Sequence, residues 1–313
     1  MEIIHGIKKL KINKPLIATI GVFDGIHKGH QRILKLLKAR AKDVNAKSCV
    51  LTFKPHPSKV LRPHKTLPML ISTRHKLNLL AAEGIDITVL INFTRDFAGI
   101  EPVRFVEEVL VKKMNVKELL VGKNFLFGRD NSGTVKGLKH LGKRFGFKVC
   151  AIPPLKAGRR IISSTLIRKL VMAGKLNEAK RLIGREVSIL GTVIKGARRG
   201  RILGFPTANL NLHHGAIPPS GVYIVRVRVA DKMYRGILNI GFRPTFKEEK
   251  IKREPIVEVH IFNFNKSIYG EDIEIIFLKR IRSERTFRNK EHLLLRIEKD
   301  IDIAKEFFRR KVS

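Results

Sequence analysis

The residues best suited to chemistry in this sequence lie in Gly21-Val22-Phe23-Asp24-Gly25-Ile26-His27-Lys28-Gly29-His30. Two imidazoles three positions apart share one face of a helical turn, and the glycines beside them, Gly25 and Gly29, let a ligand approach the backbone closely. Before the segment runs Pro15-Leu16-Ile17-Ala18-Thr19-Ile20, apolar and rich in β-branched residues. After it, Ile33, Leu34, Leu36 and Leu37 recur at helical spacing. The segment reads as strand, glycine turn, helix. At such a junction the free N–H groups and the positive dipole end of the helix suit a phosphate, and His27 and His30 reach the same anion. Two surface histidines near a helix start would be the plainer reading of the pair alone. The order Phe23-Asp24-Gly25, His27, Gly29-His30 inside a strand-to-helix turn argues for an anion site instead.

Three further groups carry chemical potential. Ser163-Ser164-Thr165 precede Ile167, Leu170 and Val171, so one of the hydroxyls can cap a helix; with Arg168 one turn on, the same residues also make a second anion site. Arg198-Arg199-Gly200-Arg201-Ile202-Leu203-Gly204-Phe205-Pro206-Thr207-Ala208-Asn209-Leu210 sets glycines among arginines, as a phosphate-cradling loop does. In an extended segment Thr207 and Asn209 face one way and offer two neutral oxygens, a donor type Mg²⁺ accepts while it bridges substrate phosphates. An ordinary turn with locally satisfied Thr and Asn accounts for these residues equally well. Glu258 alternates with apolar residues in Ile256-Val257-Glu258-Val259-His260-Ile261, and an inward carboxylate there is costly unless used or paired. His260 shares its face and reads as a satisfied structural histidine.

The elements that position these residues follow from periodicity. Strands are expected at Lys47 to Phe53, Asp86 to Phe93, Lys117 to Val121 and Lys148 to Ile152. Helices are expected at Thr73 to Gly84, from Pro102 to a stop near Asn115, at Val135 to Phe145, and at Leu176 to Ile183. This alternation predicts a doubly wound, mainly parallel α/β sheet, whose ligands sit beyond the carboxyl ends of the strands. From Gly184 strands dominate: Val187 to Ile194, Gly221 to Val229, Tyr234 to Ile240, Ile256 to Phe262 and Asp272 to Ile281. A helix from Lys290 to about Phe308 closes the chain. The second pattern predicts a small antiparallel β-barrel with a terminal helix, and a boundary giving domains 1–183 and 184–313.

Composition narrows the function classes. No apolar run reaches the roughly 18 residues of a membrane span, and the N-terminus does not read as a signal peptide, so a soluble, cytoplasmic protein is expected. Cys49 and Cys150 sit in apolar strand-like runs and read as buried thiols in a reducing compartment. The formal charge is +37, with 37 Lys+Arg against 12 Asp+Glu in residues 1–183 and 27 against 15 in residues 184–313. An excess spread over both halves, with no zinc-finger spacing and no RNA-recognition motif, fits phosphate-bearing substrates better than nucleic acid.

The Gly21–His30 segment resembles the His-x-Gly-His signature of nucleotidylyltransferases. Its full form is similar to that of the bacterial bifunctional riboflavin kinase/FAD synthetases. Ser163-Ser164-Thr165-Leu166-Ile167-Arg168 resembles the Ser-Ser-Thr-x-Ile-Arg motif of the flavin-adenylating members, and Gly204-Phe205-Pro206-Thr207-Ala208-Asn209 the Gly-x-Pro-Thr-Ala-Asn signature of riboflavin kinases. The resemblance implies a Rossmann-like nucleotidylyltransferase domain followed by a riboflavin kinase barrel, acting on riboflavin, FMN and ATP with Mg²⁺. It implies that Gly21, Phe23, Asp24, Gly25, Gly29 and Asn124 border ATP, that Ser163, Ser164, Thr165 and Arg168 hold its β- and γ-phosphates, and that His27 and His30 are catalytic. In the kinase it implies Gly200, Arg201, Gly204 and Pro206 at the nucleotide, Thr207 and Asn209 at the metal, and Glu258 as base. Arg282, Arg285 and Phe287 match a further family pattern beside flavin and nucleotide; solvated surface charge is the other reading of the arginines. Asn124 stands where the family carries an acidic or amide residue, which leaves open a direct metal-ligand role. Phe53, Pro57 and Phe125-Leu126-Phe127 are expected at the flavin, or in the core. An enzyme active in one module alone, or a basic nucleic-acid-binding protein, are the competing readings.

Overall fold

The apolar runs of the first half form one parallel sheet in the computed structural model, which describes residues 1–8, 10–65, 67–196, 204–242 and 255–310. Its strands are β1 (Glu2–His5), β2 (Leu16–Ile20), β3 (Lys47–Lys54), β4 (Ile87–Asn92), β5 (Val116–Gly122) and β8 (Lys148–Ile152). They lie side by side in the order β1-β4-β3-β2-β5-β8. Every pairing is parallel. Every residue of β2 is buried, which is why it reads as an unbroken apolar run rather than an alternating one. Helices α1 (Lys28–Asp43), α2 (Pro57–Leu61), α3 (Thr73–Ala82), α4 (Arg95–Ala98), α5 (Pro102–Phe105) and α6 (Val135–Phe145) connect the strands. Between β5 and α6, the short strands β6 (Leu126–Phe127) and β7 (Gly133–Thr134) form a hairpin. The core gathers Ala18, Leu51, Val89, Leu110 and Leu119. The order in which strands are added to the sheet reverses between the central strands β2 and β5, so the residues after these parallel strands, Gly21 onward and Lys123 onward, flank the crevice where such sheets bind ligands.

Three features differ from the expectation. The edge strand β1 was not anticipated; it is short, and three of its four residues are exposed, so no buried face marks it in the sequence. The helix opened by Pro102 is α-helical only to Phe105 and continues as a π-helix over Val106–Lys113. Cys49 is buried as expected, whereas Cys150 is only half-buried, because β8 is the other edge of the sheet.

After β9 (Lys156–Ala157), β10 (Arg160–Ile161), α7 (Ser164–Met172) and α8 (Leu176–Ile183), the second half closes into an antiparallel barrel. Its strands are β11 (Ser188–Ile194), β12 (Ala208–Leu212), β13 (Gly221–Val229), β14 (Lys232–Phe242), β15 (Pro255–Ile261) and β16 (Asp272–Arg282), in the order β11-β12-β15-β14-β13-β16. The unanticipated member is β12: the Thr-Ala-Asn motif is not a loop but the lead into a barrel strand. Tyr223, Leu238, Val257, Val259 and Phe277 fill the interior. On the outside, α9 (Lys290–Arg310) lays Ile301, Ala304 and Phe308 on Ile224 and Ile237. The chain separates into two compact units, with the change after Leu166 and with Leu70–Ser72 belonging to the second.

Candidate active sites

In the first unit the chain leaves β2 and turns sharply into α1. Phe23 and Ile26 take positive φ, 52° and 36°, and Gly25 87°, so the turn holds two β-carbon-bearing residues in a backbone region they disfavour, a kind of strain that clusters at ligand sites. His27 is the N-cap of α1, and its Nδ1 accepts the His30 backbone N–H at 3.4 Å. Accepting there leaves the other ring nitrogen to carry the proton of a neutral imidazole. The His27 and His30 rings stack, centroids 3.7 Å apart. A Cβ on Gly29 would lie 3.1 Å from the His27 ring, so the close packing of helix start and imidazole calls for glycine. Burial, the neighbouring His27 and the charge of Lys76 together hold His30 well below the usual histidine range.

The hydroxyl-rich segment meets this turn. Ser163 Oγ accepts the Leu166 N–H at 3.3 Å and caps α7, the capping role its composition allowed. Ser164 Oγ donates to the Asp24 carbonyl at 2.8 Å and so ties the start of α7 to the Gly21–His30 loop. Thr165 is exposed, and Arg168, one turn on, is buried. Beside the turn opens a cavity of about 760 Å³, lined by Gly21 and Val22 and by the aromatic side chains of Phe53, Phe93, Phe97 and Phe125. Pro57, Leu126 and Phe127 also line it, so the residues expected at the flavin border one apolar cavity at the carboxyl ends of the strands. Asn124 is exposed on the loop after β5.

One residue of this site escaped the sequence reading. Lys76, on α3, is buried and its Nζ donates to Thr52 Oγ1 at 3.1 Å; Thr52 Oγ1 in turn donates to the Val22 carbonyl at 3.2 Å. Burial pushes the Lys76 ammonium down to about 8, against the attraction of the Asp24 carboxylate. In sequence it is one more lysine in a lysine-rich chain.

In the second unit, β12, β15 and β14 bring Asn209, Glu258 and Asn239 into register. Residues directly opposite in an antiparallel pair point to the same side. That side is not the expected one: Val257 and Val259 fill the barrel, while Glu258 and His260 face outward beneath α9. Alternation separates the two faces correctly, but a barrel packed on its outside by a helix has apolar residues on both. Glu258 lines a cavity of about 330 Å³ with Thr207, Asn239, Arg282, Arg285 and Phe287. Thr207 and Pro206 also border a second cavity of about 440 Å³, which reaches Phe264 and Tyr269. Thr207 is therefore common to two cavities, one of which holds the carboxylate.

Supporting contacts fix this arrangement. His260 Nδ1 bonds the Pro206 carbonyl at 2.8 Å and its ring meets Phe205 edge-on, so it holds the motif against β15. The Asn209 amide packs over Gly196, where any β-carbon would overlap it. Arg282 Nε donates to Asp300 Oδ2 at 2.8 Å, Arg296 Nε lies 3.2 Å from Oδ1, and the Arg282 guanidinium sits 5.6 Å from the Phe287 ring. Arg282 is thus an ion-paired, half-buried side chain rather than solvated charge, whereas Arg285 is exposed. Asp300, almost fully buried on α9, was missed in the sequence, where it reads as one of many charges on a long helix. Gly204 is described; Gly200 and Arg201 lie outside the described residues.

Two family models match the chain, one described as FAD synthetase over residues 9–166 and one as riboflavin kinase over residues 183–308. A curated bifunctional riboflavin kinase/FMN adenylyltransferase of Buchnera aphidicola is 38% identical over 98% of this chain and 99% of its own length. The protein of the same description from Haemophilus influenzae is 36% identical over 98% and 99%. That from Bacillus subtilis is 36% identical over 93% and 92%. A solved structure from Streptococcus pneumoniae, named as a macrolide-efflux protein, superposes on 97% of this chain and 99% of its own with a TM-score of 0.84 at 31% identity. Among the described residues no helix is long and apolar enough to cross a membrane. The curated relatives match along almost the whole chain, and the two family models divide between the sheet that carries the paired imidazoles and the barrel that carries the carboxylate, so the chain belongs to the bifunctional riboflavin kinase/FMN adenylyltransferase family.

Proposed function

We infer that the chain makes FAD in two steps: the barrel transfers the γ-phosphoryl group of ATP to riboflavin, giving FMN and ADP, and the parallel-sheet unit adenylylates FMN with a second ATP, giving FAD and pyrophosphate. The observation that carries the reading is the different equipment of the two sites. The barrel cavity holds a carboxylate beside Thr207; the sheet cavity is bordered by a turn with two stacked imidazoles.

The difference matches the two nucleophiles. Riboflavin attacks through a neutral primary alcohol, so a base must take its proton, and Glu258 is the group placed to do so. As the alcohol oxygen bonds to the γ-phosphorus, its proton passes to Glu258 and the bond to the ADP oxygen breaks. The shared position of Thr207 supports riboflavin in the Glu258 cavity and ATP in the one that reaches Tyr269. A divalent ion is implied by both ATP-dependent activities. Thr207, which lines the Glu258 cavity, and Asn209, opposite Glu258 in the strand register, offer neutral hard oxygens that fit Mg²⁺. Bound there, the ion would neutralise charge on the transferring phosphates.

FMN attacks through a phosphate already ionised at neutral pH, so adenylyl transfer asks for no protein base. A phosphate oxygen of FMN bonds to the α-phosphorus of ATP, and the bond to pyrophosphate breaks. His27 and His30 as neutral donors, with the N-terminus of α1, stabilise charge gathering at the α-phosphorus. Ser163, Ser164, Thr165 and Arg168 are assigned to the leaving pyrophosphate, with Gly21, Phe23, Asp24, Gly25, Gly29 and Asn124 beside the nucleotide; the Ser164 bond to Asp24 supports this grouping. The isoalloxazine ring fills the aromatic cavity.

We place the functional boundary at Gly184, in keeping with a kinase match that begins at residue 183. The high positive charge is read as suiting phosphate substrates rather than nucleic acid. Free thiols at Cys49 and Cys150, with two ATP-consuming steps, favour the cytoplasm. The test is purified protein with riboflavin, ATP and Mg²⁺, resolved by chromatography. FMN followed by FAD is expected, and a protein that forms neither would refute the reading.

A further inference from the structure

Lys76 takes no part in the chemistry assigned above, yet it is among the least favourable residues of the first unit to bury. Its side chain is 6% exposed. Its ammonium bonds a neutral hydroxyl, Thr52 Oγ1. The Asp24 carboxylate attracts it without offsetting the burial. A buried ammonium of this kind is expensive when its compensation is incomplete. An apolar side chain in the middle of α3 would pack at lower cost, so the charge itself calls for an explanation.

The surroundings supply one. Through Thr52 the ammonium is linked to the Val22 carbonyl, at the entrance of the strained turn that carries the imidazoles. Val22 lines the aromatic cavity. His30 feels the Lys76 charge directly, while the Asp24 carboxylate attracts Lys76 from the same turn. The Nδ1 of His30 is buried without a hydrogen-bond partner, so a proton placed there would meet no acceptor and would add a positive charge near the Lys76 ammonium. Adenylyl transfer brings a triphosphate and a phosphomonoester to this point, and the buried ammonium adds positive charge behind the turn that receives them.

We propose that Lys76 is a positioning residue for adenylyl transfer: lodged behind the Val22–Asp24 turn, it is a fixed cation that acts on the substrate phosphates through the turn and the His30 imidazole. The ammonium is already in place before substrate binds, so it needs no reorganisation as charge develops, the condition under which buried electrostatic groups contribute most to rate. With the cation held at Lys76, His30 is free to serve as an uncharged hydrogen-bond donor.

The inference rests on assigning FMN adenylylation to the first unit, and the test separates the two. Full-length wild type, K76M and K76R are assayed for FAD formation from FMN and ATP, and His30 protonation is followed by histidine ring-proton NMR. K76M is expected to lower kcat for FAD formation roughly 10- to 100-fold, to move His30 protonation to higher pH, and to leave riboflavin phosphorylation unchanged. Its thermal midpoint is expected to match or exceed that of wild type, which a residue retained only for structure would not show. K76R, which keeps the charge, is expected to hold His30 protonation close to the wild-type pH. K76M with a kcat within twofold of wild type, or with an unmoved His30 titration, overturns the proposal. Wild type unable to adenylylate FMN overturns the assignment of the site itself.

Discussion

The burial of Lys76 makes a thermodynamic prediction of unusual sign. The ammonium falls from 10.5 to about 8 on folding, which corresponds to about 3 kcal/mol. Below pH 8 the group is charged in both folded and unfolded chains, and the full burial cost is present. Between about pH 8 and 10.5 the folded chain has released the proton while the unfolded chain still binds it, so stability contributed by this residue rises with pH. Replacing the lysine by methionine removes the charge and keeps most of the volume; it also removes the Thr52 hydrogen bond, worth about 1 kcal/mol. K76M is therefore expected to be about 2 kcal/mol more stable than wild type at pH 7, with the advantage disappearing towards pH 10.5. Urea denaturation of both proteins at a series of pH values, taking the difference at each pH, isolates this residue from every other titrating group. A K76M protein less stable than wild type at pH 7, or a difference that does not change with pH, would refute the reasoning.

Four other outcomes follow from the geometry. E258Q is expected to lower FMN formation roughly 10²- to 10⁴-fold, the usual contribution of a general base, while conversion of supplied FMN to FAD stays at the wild-type rate. The double variant H27A/H30A should show the reverse pattern, with FAD formation lost and FMN accumulating; FAD made at a near-normal rate would remove the proposed role of the imidazoles. D300N leaves the Arg282 guanidinium beneath α9 without its carboxylate. Breaking a buried pair costs about 3–5 kcal/mol, and the partial exposure of Arg296 lowers the expectation to about 2–3 kcal/mol, seen as a lower denaturation midpoint of the barrel and a raised KM for riboflavin. N209A should raise the Mg²⁺ concentration needed for half-maximal riboflavin phosphorylation, whereas an unchanged Mg²⁺ dependence would exclude Asn209 as a ligand.

The legible parts of the fold were those whose burial follows a simple period. β2 and β4 are covered on both faces and stand out as apolar runs. Helix α6, with Leu138 and Leu141 on one face, Thr134 as its cap and Gly146 in a left-handed C-cap, carries its boundaries in its sequence. What stayed hidden depends on partners distant in sequence. The exposed strand β1 exists because β4 offers it an edge, and polar β12 because β11 and β15 flank it. The side of the barrel on which Glu258 lies depended on α9, which covers the outer face.

The sites divide in the same way. His27 and His30 were visible because a strand-to-helix turn with glycines is a local device, and Thr207 with Asn209 because their spacing in an extended segment is local too. Lys76 and Asp300 were invisible because their significance is burial, not type. Both sit on helices whose neighbouring charges are solvated, and nothing in the adjacent residues distinguishes them. The Ser163-Ser164 pair combined both cases: the capping role of Ser163 was local and legible, while the Ser164 bond to the Asp24 carbonyl joins residues 140 positions apart.

The central claim is that one chain carries two separable sites, linked by FMN, of which the barrel alone depends on a carboxylate base. Mixing E258Q with H27A/H30A tests it most directly. Supplied with riboflavin, ATP and Mg²⁺, each variant alone should make FAD at no more than a small residual rate, and the mixture should make it rapidly, with FMN made by one protein and consumed by the other. FAD made at a near wild-type rate by either variant alone, or no gain from the mixture when each retains its other activity, would contradict the account.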